Sequence, residues 1–389
     1  GLPHEFIKDA ITAIFVLGLL VSRTKISLLF GIFMALLLPA VLLTDGGSFE
    51  DTRQLISGNL SGPVCLGVSA IYFFNRPLDV NTVRRIFLNL MYPLAAILGF
   101  MIIRTPDLDA IEFGFQSNFV TSIYGPNQMS SILGLGILVI GLAYFMGLRL
   151  FASHLVAFGF LGMLLFRGLL TFSRGGMLTP ALLLVMILFY LSWKMGIVRS
   201  GLRVFFTALA LFVLGYGAFH YTNEITDNAL YGRYTGVRNG RQVEDIDKFT
   251  SGRTIIMVMD WQIFKDNWLW GVGPGMGKFY RVDYGYRVEV AAHNEFTRLL
   301  AEHGLLGLVA LIILVTAPIS RFFQSKKIGE RILIIALIGF CFVFMTHAAT
   351  RIAAPCLLYG LAFVRVFSTS PDTSPNHGFV PRQYVVETR

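Results

Sequence analysis

Charge is what this sequence has least of. Only 14% of its 389 residues are Asp, Glu, Lys or Arg, against roughly 25% in soluble domains, so the chain cannot be wetted over its whole surface. Cysteine is scarcer still. Cys65, Cys341 and Cys356 all lie in apolar runs with no CxxC pair among them, which excludes a disulfide framework and leaves three packing residues. No HExxH pair and no His/Cys cluster with metal-ligand spacing occurs, so no metal and no cofactor are expected. There is no internal repeat and no second soluble domain. Residues 1–9 do not read as a signal peptide. The chain opens Gly-Leu-Pro rather than Met, which points to a processed or truncated N-terminus.

Apolar residues are abundant instead: 55% of the chain, 35 of them Phe, with a mean hydropathy of +0.66. Runs of roughly 20 apolar residues can cross a bilayer. Eleven such runs lie near 7–22, 26–43, 61–75, 86–104, 128–148, 151–173, 177–193, 202–219, 298–319, 331–346 and 352–368. The expected class is an all-α polytopic membrane protein with eleven transmembrane helices, or twelve if a span precedes residue 1. Basic residues follow every odd-numbered run: Arg23 and Lys25, then Arg76, Arg84 and Arg85, then Arg149, Lys194 and Arg199, and finally Arg321 to Arg331. Cytoplasmic loops collect Lys and Arg, so these loops face inward and the others outward. The net charge of +9 then needs no nucleic acid to explain it. The expected organisation is an eight-span bundle over 1–219, a large outer loop over 220–297, three further spans over 298–368 and a disordered cytoplasmic tail over 369–389.

Within the outer loop, "SGRTIIMVMDWQIFKDN" (251–267) predicts an amphipathic helix capped by Ser251, with Ile255, Met259, Ile263 and Phe264 on one face. Such a helix lies on the bilayer surface or packs over the spans. "GVGPGMG" (271–277) is not a nucleotide loop, because GxGxxG spacing needs glycine where Met276 or Lys278 stands. It reads as a turn that lets backbone approach a ligand.

Arginines on the outer side need a reason of their own. Arg104 ends the fourth span, Arg167 sits inside the sixth, Arg174 closes it, Arg253 opens the loop helix and Arg351 follows His347. Arg167 and Arg174 are seven apart, which predicts one shared helix face. Each arginine alone is explained by a carbonyl, a carboxylate or a lipid headgroup. Several converging on one outward cavity make an anion site suited to phosphate or pyrophosphate. Asn127 and Gln128 open the fifth span with polar groups, as ordinary caps or as part of a helix N-terminus that attracts anions. His293 stands in "AAHNEF" at the mouth of the ninth span. It is either a satisfied structural histidine or a general base, with Asn294 and Glu295 orienting it or binding substrate hydroxyls.

The ordered set "SRGG" (173–176), "SGR" (251–253), "GVGPG" (271–275) and "AHNEFTRLLAEHGLLGL" (292–308) resembles the bacterial O-antigen ligase and polymerase superfamily, over roughly residues 170–310. The resemblance implies metal-independent, inverting glycosyl transfer at the periplasmic face of the bacterial inner membrane. It implies a glycan on undecaprenyl pyrophosphate as donor, and lipid A–core or another lipid-linked glycan as acceptor. Carried over by motif, Arg174 and Arg253 hold the pyrophosphate and His293 activates the acceptor hydroxyl. Arg104, Arg167 and Arg351 are additions from topology for the same anion, and His347 is a supporting candidate. A lipid-linked glycan flippase is the competing reading. It needs no histidine base, and transporters usually show related halves that are not found here.

Overall fold

The computed structural model describes residues 4–22, 26–105, 121, 125–195, 197–238, 241–242 and 252–367. Among these residues it is almost wholly helical. The helices are α1 His4–Val21, α2 Leu28–Ala35, α3 Phe49–Phe73, α4 Val80–Arg104, α5 Pro126–Phe145, α6 His154–Leu170, α7 Arg174–Met195 and α8 Ile197–Ile225. They continue with α9 Ala229–Thr235, α10 Arg253–Asp266, α11 Gly277–Asp283, α12 Glu295–Gln324, α13 Ile328–Ala348 and α14 Ala353–Leu361.

Seven helices among the described residues are long and apolar enough to cross a membrane: α3, α4, α5, α7, α8, α12 and α13. The chain is an all-α, multi-pass membrane protein, as its apolar runs predict. The other runs form lesser helices. The run 26–43 is broken into α2 and a 3-10 turn, Pro39–Leu43, because Pro39 has no N–H to continue an α-helix. α6 is apolar but short, α1 carries Glu5, Lys8 and Asp9, and α14 covers nine residues of the run 352–368. Lipid-facing character shows in large exposed apolar side chains such as Val21 (88% exposed), Ile103 (83%) and Phe189 (76%), which water would not tolerate in such number.

The chain forms two compact units. The first combines 1–77, 245–325 and 341–365; the second combines 78–244, 326–340 and 366–389. In the first unit α3 is central, with α1, α2 and α14 packed on it around buried Phe30, Phe33, Leu66, Tyr359 and Phe363. Cys65, Cys341 and Cys356 are free and buried there, as packing residues. In the second unit α5 is central, between α4, α6 and α7. Its contact with α7 is backbone to backbone, since a Cβ on Gly134 would stand 2.1 Å from Gly176 O.

The sixth and seventh runs hold a correction. α6 ends at Leu170, Phe172 takes a left-handed conformation (φ 56°) and Arg174 starts α7. Arg167 and Arg174 therefore lie on different helices and share no face, because the chain reverses between them.

α12 is kinked. Gly304 sits at φ 58°, ψ −136° inside it, a conformation open to glycine and little else. The carbonyls released by the kink are taken by the glycine-rich strap: Val272 N–H donates to Ala301 O (3.1 Å) and Gly273 N–H to Glu302 O (2.9 Å), while Leu305 N–H donates to Leu269 O (3.3 Å). Gly271 (φ 74°) lies so close that a Cβ would meet Glu302 O at 2.4 Å. At these positions the strap's backbone approaches α12, while Gly275 of the same segment lines a cavity.

α10 packs on α12 and buries Ile256, Asp260 and Ile263. Ile255, expected on that face, is 40% exposed. The helix is rotated because the buried face carries a charge: Asp260 pairs with Arg281 and accepts from Thr297 Oγ1 at 2.9 Å. Ser251, the expected cap, lies outside the described residues.

Candidate functional site

His293 occupies the irregular segment that leads into α12 in the first unit. Its carbonyl accepts from Ala349 N–H at 3.0 Å, which ties it to the turn after α13. Arg351 leaves the same turn and its Nη2 donates to Ala291 O (3.2 Å) and Ala292 O (2.9 Å), so the guanidinium grips the two residues before the histidine. The half-buried imidazole is pushed down to about 4, by burial first and then by the fields of Arg351, Arg253 and Arg281, with His347 adding to them. The ring is therefore neutral at neutral pH. Burial also holds Arg351 below the usual arginine range. His347 caps its own helix through a contact between Nδ1 and Val343 O at 2.8 Å.

The floor beneath His293 is a buried ionic network. Asn294 caps α12, its Oδ1 accepting from Phe296 N–H (2.8 Å) and Thr297 N–H (3.3 Å). Arg298 pairs with Glu295 at 2.5 Å and Glu302 at 2.7 Å, and donates to Asn59 O at 3.1 Å. Glu295 also accepts from Thr350 N–H at 3.2 Å. Asn294 and Glu295 thus fix the helix entry and its neighbouring turn. Beside them, burial raises the Asp260 carboxyl despite its Arg281 partner.

Asp260, Arg281, Arg298 and Glu302 were not singled out from the sequence. Glu295, Arg298 and Glu302 stand at i, i+3 and i+7, one helix face, in an otherwise apolar run. That spacing signals a buried ion cluster in a membrane helix. Arg281 carried no such mark.

The second unit holds the remaining candidates. Arg174 opens α7, and the turn before it is tied to α5: Ser173 Oγ donates to Asn127 Oδ1 at 3.0 Å, and Ser130 Oγ donates to Ser173 O at 3.1 Å. Gln128 folds back over Gly125. Arg233 Nε donates to Phe172 O at 3.2 Å. Burial pushes the Tyr234 hydroxyl up to about 12, with the charges of Arg174 and Arg233 opposing it. Arg167 is buried and donates to Thr105 Oγ1 at 3.2 Å, and Arg104 is exposed, its guanidinium 5.7 Å from the Phe100 ring centre. The structure therefore gathers Arg253, His293, His347 and Arg351 in one unit, and Arg104, Asn127, Gln128, Arg167 and Arg174 in the other.

Two cavities in the first unit flank the His293 segment. One of about 420 Å³ is walled by Gln54, Asn59, Lys278, Phe279 and Glu289 among others. The second, of about 240 Å³, takes Lys8, Glu295, Arg298 and Arg351. Ala291 and Ala292 belong to both walls.

With this geometry in hand, the comparison with known families is specific. Residues 158–312 match the family model described as O-antigen ligase. That segment contains Arg167, Arg174, Arg253 and His293 and stops short of His347 and Arg351. No curated protein matches the chain. The match supports the resemblance to the O-antigen ligase and polymerase superfamily, a family that implies a glycosyltransferase-type enzyme acting on lipid-linked glycans in a membrane.

Proposed function

Proceeding from that family segment, we propose that the protein is a metal-independent inverting glycosyltransferase. It moves a glycan from undecaprenyl pyrophosphate to a sugar hydroxyl of lipid A–core at the periplasmic face of the inner membrane. The observation that carries the reading is the half-buried, neutral His293 set among Arg253, Arg281 and Arg351. The imidazole takes the hydroxyl proton as the oxygen attacks the anomeric carbon. The bond from that carbon to the diphosphate breaks, its electron pair leaves on the diphosphate oxygen, and Arg253 and Arg351 stabilise the charge that grows there. One displacement inverts the anomeric carbon.

The cationic surroundings serve a second purpose. They add to burial in holding the free enzyme's histidine weakly basic, and a diphosphate dianion beside Arg253 and Arg351 offsets their part of the shift. Donor binding therefore strengthens the base at the moment it is needed. The resemblance alone assigns Arg174 to diphosphate binding. Polymerisation of lipid-linked repeat units uses the same donor chemistry and differs only in the acceptor.

The test uses purified protein in detergent with undecaprenyl-pyrophosphate glycan and EDTA throughout, with either lipid A–core or more donor as acceptor. Transfer to lipid A–core that His293→Ala abolishes, with donor still bound, supports the ligase. Extension from donor alone makes the protein a polymerase. Donor binding without transfer in either reaction sinks the transferase reading and favours a transporter.

A further inference from the structure

The larger cavity of the first unit takes no part in the steps above, yet it shares Ala291 and Ala292 with the segment that carries His293. We propose that this cavity is the subsite that seats the acceptor sugar, an inference that rests on the glycosyl-transfer reading and names where its second substrate lies. Its volume of about 420 Å³ falls within the roughly 300–1,000 Å³ of small-molecule sites.

The cavity has a fixed floor and an adaptable rim. On the floor, Asn59 Nδ2 donates to Leu55 O at 2.8 Å and its Oδ1 accepts from Arg298 at 3.3 Å. Glu302 is held by Arg298 and Arg281 by Asp260. Arg281, Arg298 and Glu302 are buried and Asn59 half-buried, and these pairings hold the floor in place. The rim is built differently. Gln54 is exposed and donates to Glu50, itself exposed, at 3.2 Å. Lys278 stands 3.9 Å from Glu289 and 4.4 Å from the centre of the Phe279 ring, and both partners of that ion pair are partly exposed. Such contacts contribute little in water and exchange readily for ligand contacts.

The chemistry of the rim fits a pyranose. A carboxamide donates to one hydroxyl and accepts from its neighbour, and carboxylates accept from hydroxyls. An aromatic face covers the apolar side of a sugar ring. The sign of the charge separates this cavity from a diphosphate site. Asp51, Glu289 and Glu302 face Lys278 and Arg281 on its wall, which leaves no excess of positive charge to draw a dianion and makes a neutral hydroxylated ring the favoured guest. The smaller cavity has the opposite bias, with Lys8, Arg298 and Arg351 against Glu5 and Glu295. A sugar in the larger cavity sits against Ala291 and Ala292, the two residues before His293.

The experiment titrates acceptor at saturating donor for wild type, Gln54→Ala, Phe279→Ala and Phe279→Tyr. The altered positions are at least partly exposed, so the variants keep the fold, and thermal unfolding checks this. The acceptor KM is expected to rise about tenfold in each alanine variant, with the donor KM and the rate at saturating acceptor unchanged, and Phe279→Tyr is expected to restore it. An unchanged acceptor KM, or a rise in the donor KM instead, overturns the subsite while wild-type transfer leaves the transferase reading standing. Binding of delipidated core oligosaccharide, followed by saturation-transfer NMR, reads the cavity independently of turnover. If wild type transfers nothing, loss of oligosaccharide binding in the double alanine variant still supports a glycan cavity. Binding that persists in that variant refutes it.

Discussion

The acidic limb of the rate profile is the most direct probe of the site. His293 acts as base only when neutral, and its environment pushes it to about 4. Between pH 7.5 and 5.5 a base titrating near 4 loses only about 3% of its neutral form, whereas one at the ordinary value of roughly 6.5 loses about tenfold. Because kcat/KM reports the free enzyme, it should stay nearly flat over that interval. A doubly esterified diphosphate has no group of its own that titrates there. Donor binding offsets the arginine field, so the acidic limb of kcat should lie at higher pH than that of kcat/KM. Arg351→Gln removes one positive charge while keeping a donor for the carbonyls of Ala291 and Ala292. Loss of a like charge favours the protonated imidazole, so the kcat/KM limb should move upward, by on the order of half a unit, since burial holds the largest share of the shift. Initial rates across buffers of constant ionic strength decide the matter. A tenfold fall for wild type between pH 7.5 and 5.5, or a limb that moves downward in Arg351→Gln, would refute the reasoning.

Three further outcomes are expected. Gly304→Ala should destabilise by about 2 kcal/mol or more, since the new Cβ stands 2.6 Å from Gly271 N at a left-handed φ; thermal unfolding in detergent measures it against Gly31→Ala, where nothing lies within 4 Å. Asp260→Asn strands the buried Arg281 and should cost roughly 3–5 kcal/mol, much of it recovered when both residues become leucine; chemical unfolding of the single and double variants tests this. Arg174→Lys replaces a forked donor with a point charge and should raise the donor KM about tenfold while leaving the acceptor KM alone, as read from two-substrate kinetics.

Much of this was legible in the residues. The scarcity of charge and the apolar runs determine the class, because a chain with so little polar surface must place helices in lipid. The motif set at 173–176, 251–253 and 292–295 carries the resemblance, and His293 stands out because a lone imidazole at the mouth of an apolar helix asks for a reason. Helix breaks were less legible. Gly304 sits inside the run 298–319 that reads as one span, and whether such a run bends depends on what takes up the freed backbone groups. For α12 that partner is a strap some thirty residues away in the chain, and local periodicity carries no trace of it.

Burial of charge was decided by tertiary structure alone. Asp260 faces inward only because Arg281, on another helix, is there to meet it, and the face of α10 rotates to suit. The partners of Glu295 and Asn294 are also set by the fold, which supplies Arg298, Thr350 and the amides of Phe296 and Thr297. The low basicity of His293 likewise belongs to no short stretch, since it arises from burial and from arginines at 253, 281 and 351. Sequence determines which groups are available and where lipid must lie; the field at one imidazole depends on distances between remote segments, and only the folded chain sets those.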